Sequence, residues 1–431
     1  MDYEGVWTRV EVAALEVALD CGPTEFARRL DVTPRTLRSW KNGAKLRPES
    51  KDKLSDVYRR TNNSIRERFA RLTVTAATMG DTDALEVEDP MNRRTLLQAL
   101  STMAVGPSAG MATLEALRQG LQLASGLDRS ADEWDEIAED YTRTCFTTPA
   151  PQLVSELSAD LTVLVPIIDA CPRAAEKRDL SRAGAELSVV MAVALAGMHS
   201  SRSARRWWST ARAMADQSGD LATRMWVRDW EAVNGLYERR PTSSILNIAD
   251  EGLAMGELQC SGRAGLLAAR AQILSVQGQT VPALESLREL GELTAALPSD
   301  VLADADSMCG WPDFRRLHTE SYVYTHLAMS GVPDMLPLAM AAQDAALPMY
   351  PMALIGEKAY VEMHRAACIV LGGDITGGVH YAATQLDAVP IEFRDALLKQ
   401  IAGKVIDAVP ATDRRRTAVD ELAGRLQPAL A

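Results

Sequence analysis

The feature that most constrains the fold is a segment that recurs through the second half of the chain. In each copy an apolar, alanine-containing stretch runs to a glycine, and a second amphipathic stretch rich in small residues follows. Repeats of this length indicate paired helices, which cannot bury their apolar faces alone and therefore stack on their neighbours. The marker glycines lie 38, 43, 53 and 41 residues apart, at Gly197, Gly235, Gly278, Gly331 and Gly372.

Charge is distributed unevenly along the 431 residues, of which 47% are hydrophobic and 24% charged, enough to bury a sizeable core. Residues 1–72 hold 15 Lys and Arg against 11 Asp and Glu, whereas residues 73–431 carry a net charge of -16. A basic block on an acidic body is the asymmetry expected when one small domain binds nucleic acid. A solvated basic face would explain the same charge without any ligand.

The stretch GPTEFARRLDVTPRTLRSWKNG, residues 22–43, predicts two short helices joined by a turn at Asp31 and Val32. Thr24 can cap the first helix, and Thr33 with Pro34 makes a strong start for the second. Leu37 and Trp40 are spaced to pack inward. Pro34, Arg35, Arg38 and Ser39 then form the outer face, where a recognition helix meets the major groove.

These residues resemble the Cro/CI-type (Xre-like) helix-turn-helix family over about sixty residues, including a preceding helix near 10–20 and a following one in PESKDKLSDVYRR. Lys41 departs from the family, which usually has an acid there, and Pro34 replaces a polar side chain that often reads a base. The resemblance implies double-stranded DNA as a partner and binding as a homodimer on paired half-sites. The candidate DNA-binding residues are Thr24, Thr33, Pro34, Arg35, Thr36, Arg38, Ser39, Lys41, Lys45 and Arg47, with Lys41, Lys45 and Arg47 expected on phosphates.

A linker with connecting helices is predicted for residues 73–130. Within it, MNRRTLLQALSTMAVG, residues 91–106, has the letters of a twin-arginine export signal. Because the segment follows a folded domain, a helix starting near Asn92 explains it better. With an acidic first dozen residues and no uninterrupted apolar run of about 18, we expect neither export nor a membrane span, and a cytoplasmic location.

Residues 131–431 resemble tetratricopeptide-repeat sensor domains, weakly in motif but over wide coverage. The predicted fold is therefore all-α, a small five-helix helix-turn-helix domain in residues 1–72 followed by an α-solenoid of about seven helical hairpins. This combination resembles RRNPP-type quorum-sensing regulators and actinobacterial regulators, which implies ligand-dependent operator binding. The alternative is a tetratricopeptide-like protein-interaction scaffold whose helix-turn-helix is secondary or degenerate.

A groove along the first helices of the pairs could hold a signalling peptide or a small molecule. Aromatic and histidine residues one turn apart favour such a groove, although the same spacing is typical of packing between helices. The candidates are Trp226, Arg228, Trp230, Asn234, Arg270, His318, Tyr322, His326, Tyr360 and His364.

Enzymatic chemistry has no support in the sequence. The five histidines lack metal-ligand spacing, the six cysteines form no C-x-x-C pair, and no nucleophile-elbow or phosphate-loop motif occurs. The stretch LGGDITGG is interpreted as a hairpin turn carrying Gly372, Gly373, Gly377 and Gly378. We expect no catalytic residues, no cofactor and no metal.

Overall fold

The computed structural model describes residues 7–19, 21–41, 44–61, 65–66, 69–70, 73 and 130–426. In these residues all regular structure is helical, so the expected all-α class is confirmed there. The chain divides into two compact units, unit 1 (Met1–Ala104) and unit 2 (Val105–Ala431). The predicted linker, including the twin-arginine-like segment, lies almost wholly outside the described residues, and the boundaries at 72 and 131 stay predictions.

Unit 1 contains four described helices, whose starts are set by local chemistry. Thr8 and Glu11 form a capping box at the first, and the second and fourth each begin with a proline. The predicted fifth helix falls on residues 65–73, of which only part is described. The helices are α1 (Arg9–Ala18), α2 (Pro23–Arg29), α3 (Pro34–Lys41) and α4 (Pro48–Arg59).

The turn between α2 and α3 forms where the sequence predicted it. Asp31 adopts a left-handed φ of 50°, and the N–H of Val32 donates to the carbonyl of Ala27 at 3.0 Å. The Thr33 hydroxyl oxygen then accepts from the N–H of Thr36 at 3.1 Å, which caps the start of α3. The turn therefore fixes the angle at which α3 leaves α2.

The core of unit 1 joins these helices through apolar residues of α1, α2 and α3. Phe26, Leu30 and Leu37 are fully buried, with Leu15 of α1 and Leu54 of α4 beside them. Because α3 has only this one apolar face, packing it inward leaves the opposite face to solvent.

Unit 2 contains fifteen described helices, fourteen of which can be grouped in chain order as seven pairs. The pairs are α5 (Ala131–Thr144) with α6 (Ala150–Ala170), α7 (Ala174–Gly197) with α8 (Ser201–Ser218), α9 (Leu221–Tyr237) with α10 (Thr242–Leu253), α11 (Ser261–Val276) with α12 (Thr280–Thr294), α14 (Asp313–Met329) with α15 (Met335–Ala346), α16 (Ile355–Leu371) with α17 (Ile375–Ala388), and α18 (Ala396–Ala408) with α19 (Thr417–Leu426). The short α13 (Ser299–Ala303) lies between the fourth and fifth pairs. The two helices pack on each other in six of the seven pairs, whereas α5 and α6 of the first pair both pack mainly on α7.

The marker glycines stand at or near the end of the first helix of a pair. Gly278 and Gly331 adopt positive φ in the turns after α11 and α14, which explains why glycine is used there. One interpretation was wrong in detail. In LGGDITGG the turn uses Gly372 and Gly373, whereas Gly377 and Gly378 belong to the first turn of α17.

Successive pairs stack through their first helices, so that α9 packs on α11, α11 on α14, α14 on α16 and α16 on α18. The array also returns on itself, because α18 of the last pair contacts α7 and α9. Leu397 of α18 is buried with Ala196 and Ala204 of the second pair. First helices of the second, third and last pairs therefore lie together around the predicted groove.

The segment between α13 and α14 contacts helices α5 and α9. The N–H of Met308 donates to the carbonyl of Thr142 in α5 at 3.1 Å, and Arg143 pairs with Asp304 at 3.0 Å. The indole of Trp226 donates to the carbonyl of Met308 at 3.0 Å. The segment thereby ties the first and third pairs to the fifth.

Candidate functional site

The outer face of α3 is composed as the sequence predicted. Pro34, Arg35, Arg38 and Ser39 are exposed, whereas Leu37 and Trp40 on the opposite face are buried. The face therefore presents two guanidinium groups and one hydroxyl from a helix that its core contacts hold in place.

Five exposed basic side chains of unit 1 form no ion pair or side-chain hydrogen bond with any described residue: Arg35, Arg38, Lys45, Arg47 and Arg60. In contrast, Arg28 and Arg29 of α2 both bind Glu25, and their hydrogen bonds lower the pKa of that carboxyl to about 2. Unpaired cations on a surface retain their full attraction for an external anion such as a phosphate.

Lys41 does not join this set. Its ammonium lies 3.0 Å from a carboxylate oxygen of Glu16 on α1, and Glu16 is only 1% exposed. A lysine held in an internal ion pair is not free for phosphate, so the structure does not support that predicted role.

The Thr33 and Thr36 hydroxyls bond each other at 2.8 Å, so both take part in the cap at the start of α3. The side chain of Thr24 lies outside the described residues.

Unit 2 contains a cavity of about 190 Å³, which we call the carboxylate cavity. First helices from six of the seven pairs contribute to its wall, together with the turn after α5 and the segment after α13. Its aromatic lining consists of Phe146, Trp230, Tyr237, Trp311, Tyr350, Tyr360 and Phe393, and its charged lining of Asp229, Arg315, Glu357, Glu392 and Asp395.

A second cavity of about 760 Å³ adjoins it, because Tyr237 and Leu397 line both. We call it the basic cavity, after Arg239, Arg240, Lys399 and Lys404 in its wall. Glu238 and Asp407 are its acidic members, and Asp407 lies 3.5 Å from the Lys404 ammonium.

The structure brings seven of the ten predicted groove residues to these cavities. Trp230, Asn234, His318 and Tyr360 line the carboxylate cavity, and Tyr322, His326 and His364 line the basic cavity. Asn234 is buried, and its amide donates to the carbonyl of Trp230 at 2.8 Å.

The other three predicted groove residues line neither cavity, because they have partners elsewhere. The Trp226 indole binds the carbonyl of Met308, Arg228 pairs with Asp216 at 3.0 Å, and Arg270 lies 3.3 Å from Asp250. Spacing along a helix predicted which face lines the groove, but it did not show which side chains on that face bond to other residues instead.

Histidines and aromatics meet where the two cavities adjoin. His318 bonds the Tyr350 hydroxyl at 2.9 Å, and His364 bonds the Ser321 hydroxyl at 3.0 Å. Burial lowers the pKa of His318 to about 4 and that of His364 well below its usual value. Both rings are therefore neutral near pH 7 and act as hydrogen-bonding groups rather than charges.

The sequence did not identify the acidic groups of the carboxylate cavity. Burial raises the pKa of Asp229 well above its usual value and also raises that of Glu357. Neither carboxyl forms a hydrogen bond or ion pair with a described side chain. Asp395 is occupied, since it accepts from the N–H of Leu398 at 2.7 Å at the start of α18. The available signal was Asp229 itself, an acid on the same helical face as Val233 and Tyr237.

Four further polar atoms in this wall are buried without a hydrogen-bond partner. They are the indole N–H groups of Trp230 and Trp311, the side-chain oxygen of Gln272 and the Nη2 of Arg315. The other terminal nitrogen of Arg315 donates to the carbonyl of Gly310 at 2.6 Å. Buried polar atoms are normally satisfied, so a cluster of unsatisfied ones around a cavity indicates a place for water or a ligand.

Within the described residues no group of three or more His, Cys, Asp or Glu is arranged to hold a metal ion. Of the described helices, α7 has the length and apolar composition to cross a membrane, and 72% of its most apolar window is buried inside unit 2. Comparisons with protein-family models, curated proteins and solved structures found no match.

Proposed function

We propose that the protein is a DNA-binding transcriptional regulator, in which unit 1 is a Cro/CI-type helix-turn-helix domain and unit 2 is a tetratricopeptide-like sensor. The observation that carries the proposal is the outer face of α3, which exposes Arg35, Arg38 and Ser39. A short helix held by a turn and an apolar inner face, with unpaired guanidinium groups outside, has what major-groove recognition requires.

We assign contacts with the DNA phosphate backbone and contacts with the bases to different residues. Lys45 and Arg47 follow α3 in the chain, so they are suited to phosphates on the flank of the groove. Arg35 and Arg38 lie on α3 itself, where a bidentate guanidinium can read guanine. Without Lys41, phosphate binding rests on fewer residues than the sequence suggested.

The proposed regulator is a cytoplasmic homodimer whose operator binding changes when unit 2 takes a ligand. Support for a ligand comes from the carboxylate cavity and its unsatisfied polar atoms. Coupling requires that the ligand bind two arrangements of the protein with different affinities.

The alternative, a protein-interaction scaffold, has one observation in its favour. Leu338, Met340, Met349 and Met352 are exposed on α15 and the residues that follow it. Exposed apolar side chains close together in a chain favour a protein partner. The same surface would equally serve a dimer of the regulator.

Selection of bound duplexes from a random pool at near-physiological salt tests the proposal. The unmodified chain is compared with Arg35→Ala/Arg38→Ala and with Arg59→Ala/Arg60→Ala, a control that removes the same charge from the end of α4. We expect a two-fold symmetric site with the unmodified chain and the control, and none with the α3 variant. Enrichment that survives the α3 substitutions would remove α3 as the reading element. No enrichment with any protein, repeated after addition of cell extract, would favour the scaffold.

A further inference from the structure

We propose that the carboxylate cavity binds a compact organic cation, an ammonium group on a flat apolar body, through the carboxyl groups of Asp229 and Glu357 in its wall. This inference names the ligand class of the sensor and so rests on the proposed function for its biological meaning, although not for its chemistry.

The dimensions of the cavity favour a compact molecule over an extended peptide. At about 190 Å³ it is smaller than the roughly 300–1,000 Å³ of sites for drug-sized ligands. The contacts of α18 with α7 and α9 place the last pair against the first-helix face along which an extended chain would lie. A ligand of one or two rings fits this space.

The ionisable groups of the wall favour a cation that draws a proton off the buried carboxyls, because burial raises the pKa of Asp229, Glu357 and Asp395 in the empty cavity. Four carboxyl groups line the cavity, Asp229, Glu357, Glu392 and Asp395, against a single guanidinium, Arg315. Arg315 donates to backbone carbonyls and forms no ion pair within 4 Å with a described carboxylate, although its positive charge partly offsets the rise in the pKa of Asp229 and of Glu357. His318 is neutral near pH 7 and adds no positive charge.

Asp229 is the group that most requires a partner. It is only 7% exposed, it lines the cavity, and no described side chain bonds it. Its position is built into the packing, because a Cβ at Gly265 of α11 would collide with its carboxyl group. Burial raises the pKa of Asp229 because its ionised form is costly without a partner, and an ammonium ion would stabilise that form with a counter-charge and hydrogen bonds.

Aromatic rings line the same cavity as these carboxyls. Trp230 and Phe146 pack with centroids 5.8 Å apart, and Tyr360 and Tyr237 with centroids 6.3 Å apart. Ring faces attract cations and also cover a flat apolar body. The unpartnered indole N–H groups of Trp230 and Trp311 and the Nη2 of Arg315 would donate hydrogen bonds to an acceptor oxygen on the same ligand.

Calorimetric titration and thermal unfolding of the full chain test the proposal with matched probes. Tryptamine, tyramine and phenethylamine are each compared with the alcohol that replaces the amine, namely tryptophol, tyrosol and 2-phenylethanol. The variants are Asp229→Asn and Glu357→Gln, and Glu285→Gln on an exposed position of α12 is the control. We expect at least one amine to bind and raise Tm, its alcohol to bind at least tenfold more weakly, and the control to match the unmodified chain.

Asp229→Asn separates recognition from a structural role. Because the substitution removes a buried, unpartnered acid without changing its shape, Tm without probe should stay the same or rise. Affinity for the amine should fall at least tenfold. A variant that loses Tm and affinity together would show that Asp229 only supports the fold, and would overturn the assignment.

The inference is also overturned if no amine binds, or if amine and alcohol bind equally. Its failure is distinct from failure of the proposed function. Amine binding that leaves operator affinity unchanged would keep the site and remove the coupling. Operator binding without amine binding would keep the regulator and remove the ligand class.

Discussion

The ammonium of Lys41 and the carboxylate of Glu16 form an ion pair that is mostly removed from solvent. Lys41→Met removes this ammonium group from the buried carboxylate of Glu16, so we expect unit 1 to lose about 2 kcal/mol of stability. Lys45→Met should leave stability unchanged and instead reduce the slope of log K against log salt for DNA binding by about 0.9. Hydrogen exchange in α1 and α3, beside DNA titrations at several salt concentrations, measures both effects. Similar stability of the two variants would contradict the ion-pair role.

Asp395 gives a pH dependence whose sign follows from its environment. Burial raises its pKa from 3.8 to about 6, so the folded chain holds this proton more tightly than the unfolded chain. The resulting stability is present below about pH 4 and is lost as the pH rises through 6. The free energy of unfolding of the native chain should therefore fall relative to Asp395→Asn by on the order of 3 kcal/mol between pH 4 and 7.

Asparagine retains the cap at the start of α18, which makes the Asp395→Asn comparison specific for the charge. Urea unfolding of both chains across that pH range measures the difference. A difference that does not vary with pH, or that grows in favour of the native chain as the pH rises, would contradict the assigned shift.

At the level of single residues, the sequence predicted the two faces of α3 because helical spacing alone separates Leu37 and Trp40 from Arg35 and Arg38. It did not predict the partner of Lys41, because Glu16 lies 25 residues earlier on another helix. The acids of the carboxylate cavity were missed for the same reason, since their proximity depends on packing between distant pairs.

The contact between α9 and α11 depends on a glycine at the crossing point. A Cβ at Gly262 would stand 2.8 Å from the Cα of Trp226 and 2.9 Å from the carbonyl carbon of Met225. Because backbone cannot give way as a side chain can, Gly262→Ala should destabilise unit 2 by about 2–3 kcal/mol. Gly291→Ala in α12 meets nothing within 4 Å and should stabilise it by about 0.5–1 kcal/mol. Urea unfolding of both variants checks the opposite signs.

The elements themselves were largely predictable. A glycine at or near the end of the first helix marks where the chain reverses in five of the seven pairs, whereas α5 and α18 end without one. The short α13 and the segment carrying Met308 had no repeat signature. Their positions depend on contacts with α5 and α9, more than 70 residues earlier in the chain.

On the scale of unit 2, the return of α18 onto α7 and α9 had no local signal at all. Whether an array of pairs stays open or closes depends on small rotations summed over every pair, and no single segment encodes that sum. The sequence therefore predicted one concave groove, whereas the first helices line two adjoining, partly open cavities.

Closure changes how unit 2 should unfold. In an open array each pair depends only on its neighbours, so a weakened last pair would loosen only the end of the chain. Here Leu397 of α18 packs with Ala196 and Ala204, and Gln400 reaches the carbonyl of Leu236 at 3.5 Å. We therefore expect Leu397→Ala to cost about 2–4 kcal/mol and to speed hydrogen exchange in α7 and α9 as well as in α18.

Leu422→Ala is the matched control, because Leu422 of α19 is fully buried but packs within the cluster formed by the last two pairs. It removes the same atoms at a similar cost in stability, and faster exchange should begin in α17, α18 and α19. If both variants loosen only these terminal helices, unit 2 behaves as an open array and the contact of α18 with α7 carries little energy. If Leu397→Ala alone loosens α7, some two hundred residues away in sequence, closure is what holds the walls of the carboxylate cavity together.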